Sequence, residues 1–184
     1  MVQLYKIRVD KNPYFFIFNI MELKYKHLYK TVLKEYQNLS KCARLKVAAL
    51  LVEEGRIISC GYNGTPSGQT NCNELFKVEA DKYYYRTAKE EPWLEVEESE
   101  WRIKHHEFSE RNEIHAEMSA IGYALKNKID ISGASMVLSH EPCENCSKLI
   151  YSAGIKHIMY VNKYDRGSKG IEFLENNGVE IEKI

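Results

Sequence analysis

The sequence has no segment approaching ~20 consecutive apolar residues, which excludes a membrane-spanning helix. It has no excess of either charge. With 26 Lys and Arg against 26 Asp and Glu there is no basic field for gripping long nucleic acid, although a few local cations suffice for a small anion. No small-residue cleavage site accompanies the short apolar run "NPYFFIFNI", so a secretory signal is not expected. An internal repeat is also missing. Without an export signal, the five cysteines are expected as reduced thiols in a cytoplasmic compartment. There they serve as metal ligands, nucleophiles or core residues rather than disulfides.

The residues that are present suit one domain. The chain has 184 residues, with 44% apolar and 28% charged, ordinary for a globular protein. Residues 1–20 are aromatic and unlike the rest of the chain, and are read as an N-terminal extension to a single domain over 21–184. From Glu22 to Asn38, Leu23, His27, Leu28, Val32, Leu33 and Tyr36 fall at helical spacing. "KVAALLVEEGRIISCGYNG" reads as a hairpin turning at Glu54-Gly55, with both strands apolar enough for burial on two faces. Residues 73–104 read as a tyrosine-rich, acidic insertion; Glu90–Trp101 alone carries six glutamates and no basic residue, the pattern of a solvated face. From Ile114 onward, helix and strand alternate: strands at Ala134–Ser139 and His157–Val161, a helix at Cys146–Ser152, then a late helix–strand pair. Such alternation predicts an α/β domain whose helices cover a mostly parallel sheet.

Chemistry concentrates in "NEIHAE" and "HEPCENC". Cys143 and Cys146, three apart, can share one face and one ion. Pro142 suits a helix start, where unpaired N–H groups and the helix dipole favour thiolate. A redox dithiol would use the same Cys-x-x-Cys, but would leave His115 and Glu117 unexplained. With His115 as the third ligand, a tetrahedral zinc keeps one position for water, the arrangement of a catalytic rather than a closed structural site. Glu117 is then an uncommitted carboxylate placed to shuttle protons. His-x-Glu followed by Pro-Cys-x-x-Cys is the pattern of the zinc nucleobase deaminases.

Upstream, "SKCARLKVAALLVEEGRIISCGYNGTPSGQTNCNE" narrows the reading. Its "GYNG", "P-x-G" and "N-C", together with "NEIHAE", "HEPCENC" and "SAGIKHIMYVNKYD", resemble the deoxycytidylate (dCMP) deaminase family, especially bacterial and phage forms. The resemblance covers roughly residues 21–184. It implies a three-layer α/β/α sandwich of the cytidine-deaminase type with a central mixed, mostly parallel sheet. It implies zinc-dependent hydrolysis of dCMP to dUMP and ammonia, feeding thymidylate synthesis, usually in a hexamer, and in the host cytoplasm for a phage protein. It also implies activation by dCTP and inhibition by dTTP, with Mg2+ beside the triphosphate.

Residue by residue, the resemblance makes Asn63 and Tyr164 substrate contacts and the loop Gly61, Tyr62, Asn63 and Gly64 a nucleotide-recognition element; the plain alternative is a turn, since Asn-Gly favours one. It also implies a second, structural zinc held by Cys42, Cys72, His105 and Glu113, with His106 adjacent to the assigned histidine. Cys60 is expected as an inert thiol in the second strand, and His140 as a pocket residue rather than a ligand. The substrate phosphate needs a cation, with Arg44, Lys46, Arg111 and Arg166 as candidates. Alternative readings are a deaminase of a 5-modified dCMP or of tRNA adenosine, or a non-catalytic zinc-containing nucleotide sensor.

Overall fold

The computed structural model describes residues 13–164 and 168–184, giving only helix placement over 13–24. Residues 1–12, the greater part of the expected extension, lie outside the described residues, as does Arg166. In chain order the elements are α1 (Pro13–Leu39), β1 (Ala48–Glu53), β2 (Arg56–Tyr62), α2 (Cys72–Leu75), β3 (Phe76–Glu79), β4 (Lys82–Tyr85), β5 (Leu94–Val96), α3 (Glu98–Asn112) and α4 (Ala116–Lys126). β6 (Ser135–His140), α5 (Glu144–Ser152), β7 (His157–Asn162), α6 (Lys169–Asn176) and β8 (Glu180–Lys183) complete the chain.

The main sheet has strand order β2-β1-β6-β7-β8. β1 runs antiparallel to both neighbours, while β6, β7 and β8 are parallel. β1 is therefore the one reversed strand, and the expected mixed, mostly parallel sheet is present. Period-two alternation sorts the core: Ala48, Leu50 and Val52 pack with Tyr29 and Leu33 of α1, whereas Ala49 and Leu51 pack with Ala116, Ala120 and Ala124 of α4. Ile150 of α5 and Leu174 of α6 join α4's side, completing three layers.

Three readings of local structure change. α1 begins at Pro13 and crosses residue 20 without a break. Its inward face is Tyr25, Tyr29, Val32, Leu33 and Tyr36, while Leu28 is 46% exposed. The stacked Tyr25–Tyr29 pair, with ring centroids 6.1 Å apart, offers more buried area than Leu28 and His27 and turns the helix that way. The hairpin turn falls where expected, at Glu54 (φ 47°) and Gly55 (φ 78°), a left-handed pair that matches the strand twist. β2, however, is only partly buried, and among the described residues it is a sheet edge.

The largest departure is at 73–104. The glutamates of Glu90–Trp101 are solvated as expected, but the segment is folded: β3, β4 and β5 form an antiparallel three-stranded sheet against α3. Phe76 and Trp101 are buried between them, with Tyr83, Tyr85, Val96 and Phe108 packed around. The glutamates sit on the outer surface, where Glu98 and Glu95 pair with Arg102 and Lys82.

Candidate metal centres and the cleft between them

Ligands in α/β folds bind beyond the carboxyl ends of the strands. Here β2 runs out into Asn63, β6 into His140 and Glu141, and β7 toward Tyr164, all on one edge of the sheet. Reversed β1 brings Leu45 and Val47, ahead of its first residue, to the same edge. Arg44, Leu45, Val47, Asn63, Glu117, His140, Glu141 and Tyr164 line one cleft there, with residues of both expected metal sets.

His115 is the N-cap of α4 (φ −68°, ψ 154°) and Cys143 the N-cap of α5 (φ −69°, ψ 166°). α5 starts at Glu144, two residues after Pro142, so Pro142 lies just outside it, buried. Both donors thus sit at positive helix ends, where negative charge is favoured. His115 Nδ1 lies 3.6 Å from Cys143 Sγ and 3.3 Å from Cys146 Sγ. Zinc bonds of about 2.3 Å to sulfur and about 2.0 Å to nitrogen at a tetrahedral angle require a separation of about 3.5 Å. The three donors fit zinc. Hydrogen bonding from the Cys146 thiol and from His115 holds Cys143 down at about 4. In return, the hydrogen bond to Cys143 and the Glu117 charge raise His115 to about 9. Cys146, buried beside a thiolate, is pushed up. Without a cation the set therefore holds a thiolate–imidazolium pair, the charge state that a soft metal displaces.

Glu117, in the first turn of α4, is buried; desolvation raises its carboxyl, opposed in part by the adjacent His115. A buried carboxyl whose proton affinity is raised is suited to accepting and passing on protons.

The second set also converges. His105 Nε2 lies 3.5 Å from Cys42 Sγ and 3.3 Å from Cys72 Sγ, and all three residues are buried. His106, by contrast, is directed outward, 3.8 Å from Glu110. Hydrogen bonding from Cys72 and His105 lowers Cys42 to about 3, and Cys72 is raised in return. Glu113 stands just outside this trio. Its Oε2 accepts a 2.6 Å hydrogen bond from Ser109, and its Oε1 is buried with no partner among the described residues.

The "GYNG" loop is occupied by internal contacts. A side chain at Gly61 would meet the backbone of α4, Ala116 O at 2.3 Å and Ala120 N at 2.4 Å. Asn63 Oδ1 accepts from Ser40 and from the Val47 N–H, both at 2.8 Å, and its Nδ2 donates to Leu45 O at 3.0 Å. Gly64 forms a two-way bridge with Ile114, at 3.1 and 2.8 Å, which fixes the backbone just ahead of His115. Tyr62 is exposed on the edge strand.

Of the cation candidates, Arg44 lines the cleft, Lys46 faces an outer groove, and Arg111 is exposed on α3. His140 also lines the cleft. Cys60 is half-buried at the edge. Sequence reasoning missed Glu141, which is buried and accepts the Tyr164 N–H at 3.0 Å, holding Tyr164 at the cleft. A carboxylate between a strand end and Pro142 was the available signal.

Fold and donor sets together define a zinc-binding α/β/α domain. Residues 23–162 match the family described as the cytidine and deoxycytidylate deaminase zinc-binding region, and the chain belongs to that family. It is 37% identical over 155 residues to the deoxycytidylate deaminase of Enterobacteria phage T2, covering 77% of this chain and 82% of the relative. The deoxycytidylate deaminase of Enterobacteria phage T4 is 35% identical, covering 77% and 80%. The dCMP deaminase of cyanophage S-TIM5, solved with dCMP and dUMP, has a TM-score of 0.66 at 31% identity, covering 88% of this chain and 97% of that one. No helix among the described residues is long and apolar enough to cross a membrane.

Proposed function

We propose that the chain is a zinc-dependent dCMP deaminase, converting dCMP and water to dUMP and ammonia, which feeds thymidylate synthesis. One observation carries the chemistry: buried Glu117 shares a cleft with His115 and Cys143 of the converging His115, Cys143 and Cys146 donor set. His115, Cys143 and Cys146 would hold the ion, which supplies acidity to a water and lowers its pKa to about 7. Glu117 does the proton work. Its carboxylate takes a proton from the attacking water, passes it to the ring nitrogen, and delivers the next to the departing amine. Desolvation raises its proton affinity above that of an exposed carboxylate, which helps it carry a proton between steps.

On the substrate side, Asn63 fixes Leu45 and Val47 as one wall of the cleft and has one amide N–H beyond those internal bonds to offer the nucleotide. Tyr164, anchored through Glu141, also lines the cleft. Arg44 lines the cleft with a permanent charge suited to the 5′-phosphate. Cys42, Cys72, His105 and Glu113 form a second, structural zinc site, supported by the buried, unpartnered Glu113 oxygen that a cation would satisfy. Hexamer formation, and control by dCTP and dTTP with Mg2+ at the Gly61–Gly64 loop, rest on family resemblance. Sedimentation, and rates with and without each triphosphate, test them.

Glu117→Gln keeps the shape of the side chain and removes its acid–base function. We expect retained zinc and a loss of dCMP turnover of about 10²–10⁴-fold, read by the fall in cytosine absorbance. Turnover at the wild-type rate would remove Glu117 from this role.

A further inference from the structure

α3 carries an unusual stripe. Trp101, His105, Ser109 and, at its C-cap, Glu113 recur every fourth residue and so lie one above another along the helix. Trp101, His105 and Glu113 are buried and Ser109 is half-buried, while Arg102, Ile103, His106, Glu107 and Glu110 around them face outward. Hydropathy does not explain the pattern, since two of the four are ionisable and one is a hydroxyl.

The members hold one another in two pairs, Trp101 with His105 and Ser109 with Glu113. Trp101 donates its indole N–H to Tyr84 O at 2.9 Å, which fixes the ring. The ring stacks on the His105 imidazole at 4.9 Å, and Phe76 closes its edge at 5.3 Å. His105 is thereby held with Nε2 toward Cys42 and Cys72. One turn further on, Ser109 donates to Glu113 Oε2 at 2.6 Å, within the range for a hydroxyl on a charged carboxylate. With one oxygen pinned, the carboxylate keeps the other buried and unpartnered beside the donor set.

We propose that Ser109 is a positioning residue for the second metal centre: its hydroxyl fixes Glu113 so that Oε1 is delivered as the fourth donor to Cys42, Cys72 and His105. This rests on the second-zinc reading above. The consequence reaches the first site, because Glu113 is two residues ahead of His115 and Ile114 between them is tied to Gly64.

The test is chelator competition on the purified, zinc-loaded full chain, with peptide mapping of alkylated cysteines as zinc is withdrawn. Wild type should carry two zincs. Ser109→Ala should weaken one of them by about 10–100-fold, the usual effect of losing a group that orients a ligand. Cys42 and Cys72 should then be labelled earlier, with Cys143 and Cys146 unchanged, and Ser109→Thr, which keeps the hydroxyl, should restore affinity. Two zincs in wild type with Ser109→Ala unchanged would overturn the role of Ser109 alone. So would Ser109→Thr falling as far as Ser109→Ala, which would indicate packing rather than the hydroxyl. One zinc in wild type, with Cys42 and Cys72 freely labelled, would overturn the second-zinc reading and this proposal together. If Ser109→Ala does not fold, Ser109→Cys, a weak donor of similar size, is read by the same criteria.

Discussion

Gly61 illustrates how a tertiary contact can constrain a residue in a way that its neighbours in sequence do not announce. In "GYNG" it looks like part of a turn or a nucleotide loop, yet it lies in β2, where α4 passes so close that a methyl group would meet two backbone atoms of the helix. Ser59 fastens the same helix by donating to Ala120 O at 2.7 Å. Backbone cannot swing aside as a side chain can, so Gly61→Ala must displace the helix whose N-cap is His115. We expect it to cost about 1–3 kcal/mol by overpacking, and to lower zinc affinity at the His115 set as that donor moves. Denaturant unfolding and zinc titration check this; wild-type values for both would mean that α4 yields freely. Asn63, two residues on, was legible as important. Its role in fixing Leu45 and Val47 was not, because those partners lie 18 and 16 residues away and no local pattern announces them.

Among the elements, the strands β3, β4 and β5 and the buried stripe of α3 are what sequence reading did not foresee, for two physical reasons. The three strands are short, so alternation has little length in which to show. The buried stripe of α3 uses indole, imidazole and hydroxyl instead of aliphatic groups, so helical periodicity in hydropathy is absent. Trp101 is the keystone of that unit, packed against Phe76, Tyr83 and His105. Trp101→Ala should cost about 3–5 kcal/mol through the cavity it leaves. Hydrogen exchange should locate the loss in residues 76–112 and leave the main sheet protected; uniform loss across the chain would mean the two units fold as one. The long alternating elements from Ile114 onward were predicted to within a few residues, since each is a strongly patterned strand or helix packed on a continuous core.

For the whole molecule, residues of both donor sets line one cleft, and Glu113 and His115 join the sets through one short stretch of chain. A metal bound only by the folded state stabilises it by mass action, about 2.7 kcal/mol at a hundredfold excess over Kd. We expect chelation to lower the melting temperature in two steps. Cys72→Ser should show only one of these steps and retain one zinc per chain by elemental analysis. Unchanged zinc content in Cys72→Ser would contradict the second site.

The sequence by itself determined the identities and spacings of the ligand residues, the hairpin, and the alternation that makes a three-layer α/β/α sandwich. Those features are local: a motif, a turn pair, a period of two or 3.6. Only the tertiary structure decided which face of α1 turns inward, that β2 is an edge, that His105 rather than His106 meets Cys42 and Cys72, and that Arg44 alone among the described candidates reaches the cleft. Each of these depends on contacts between residues far apart in the chain. Side-chain burial and donor distances arise from how elements pack, and a one-dimensional pattern carries no record of them.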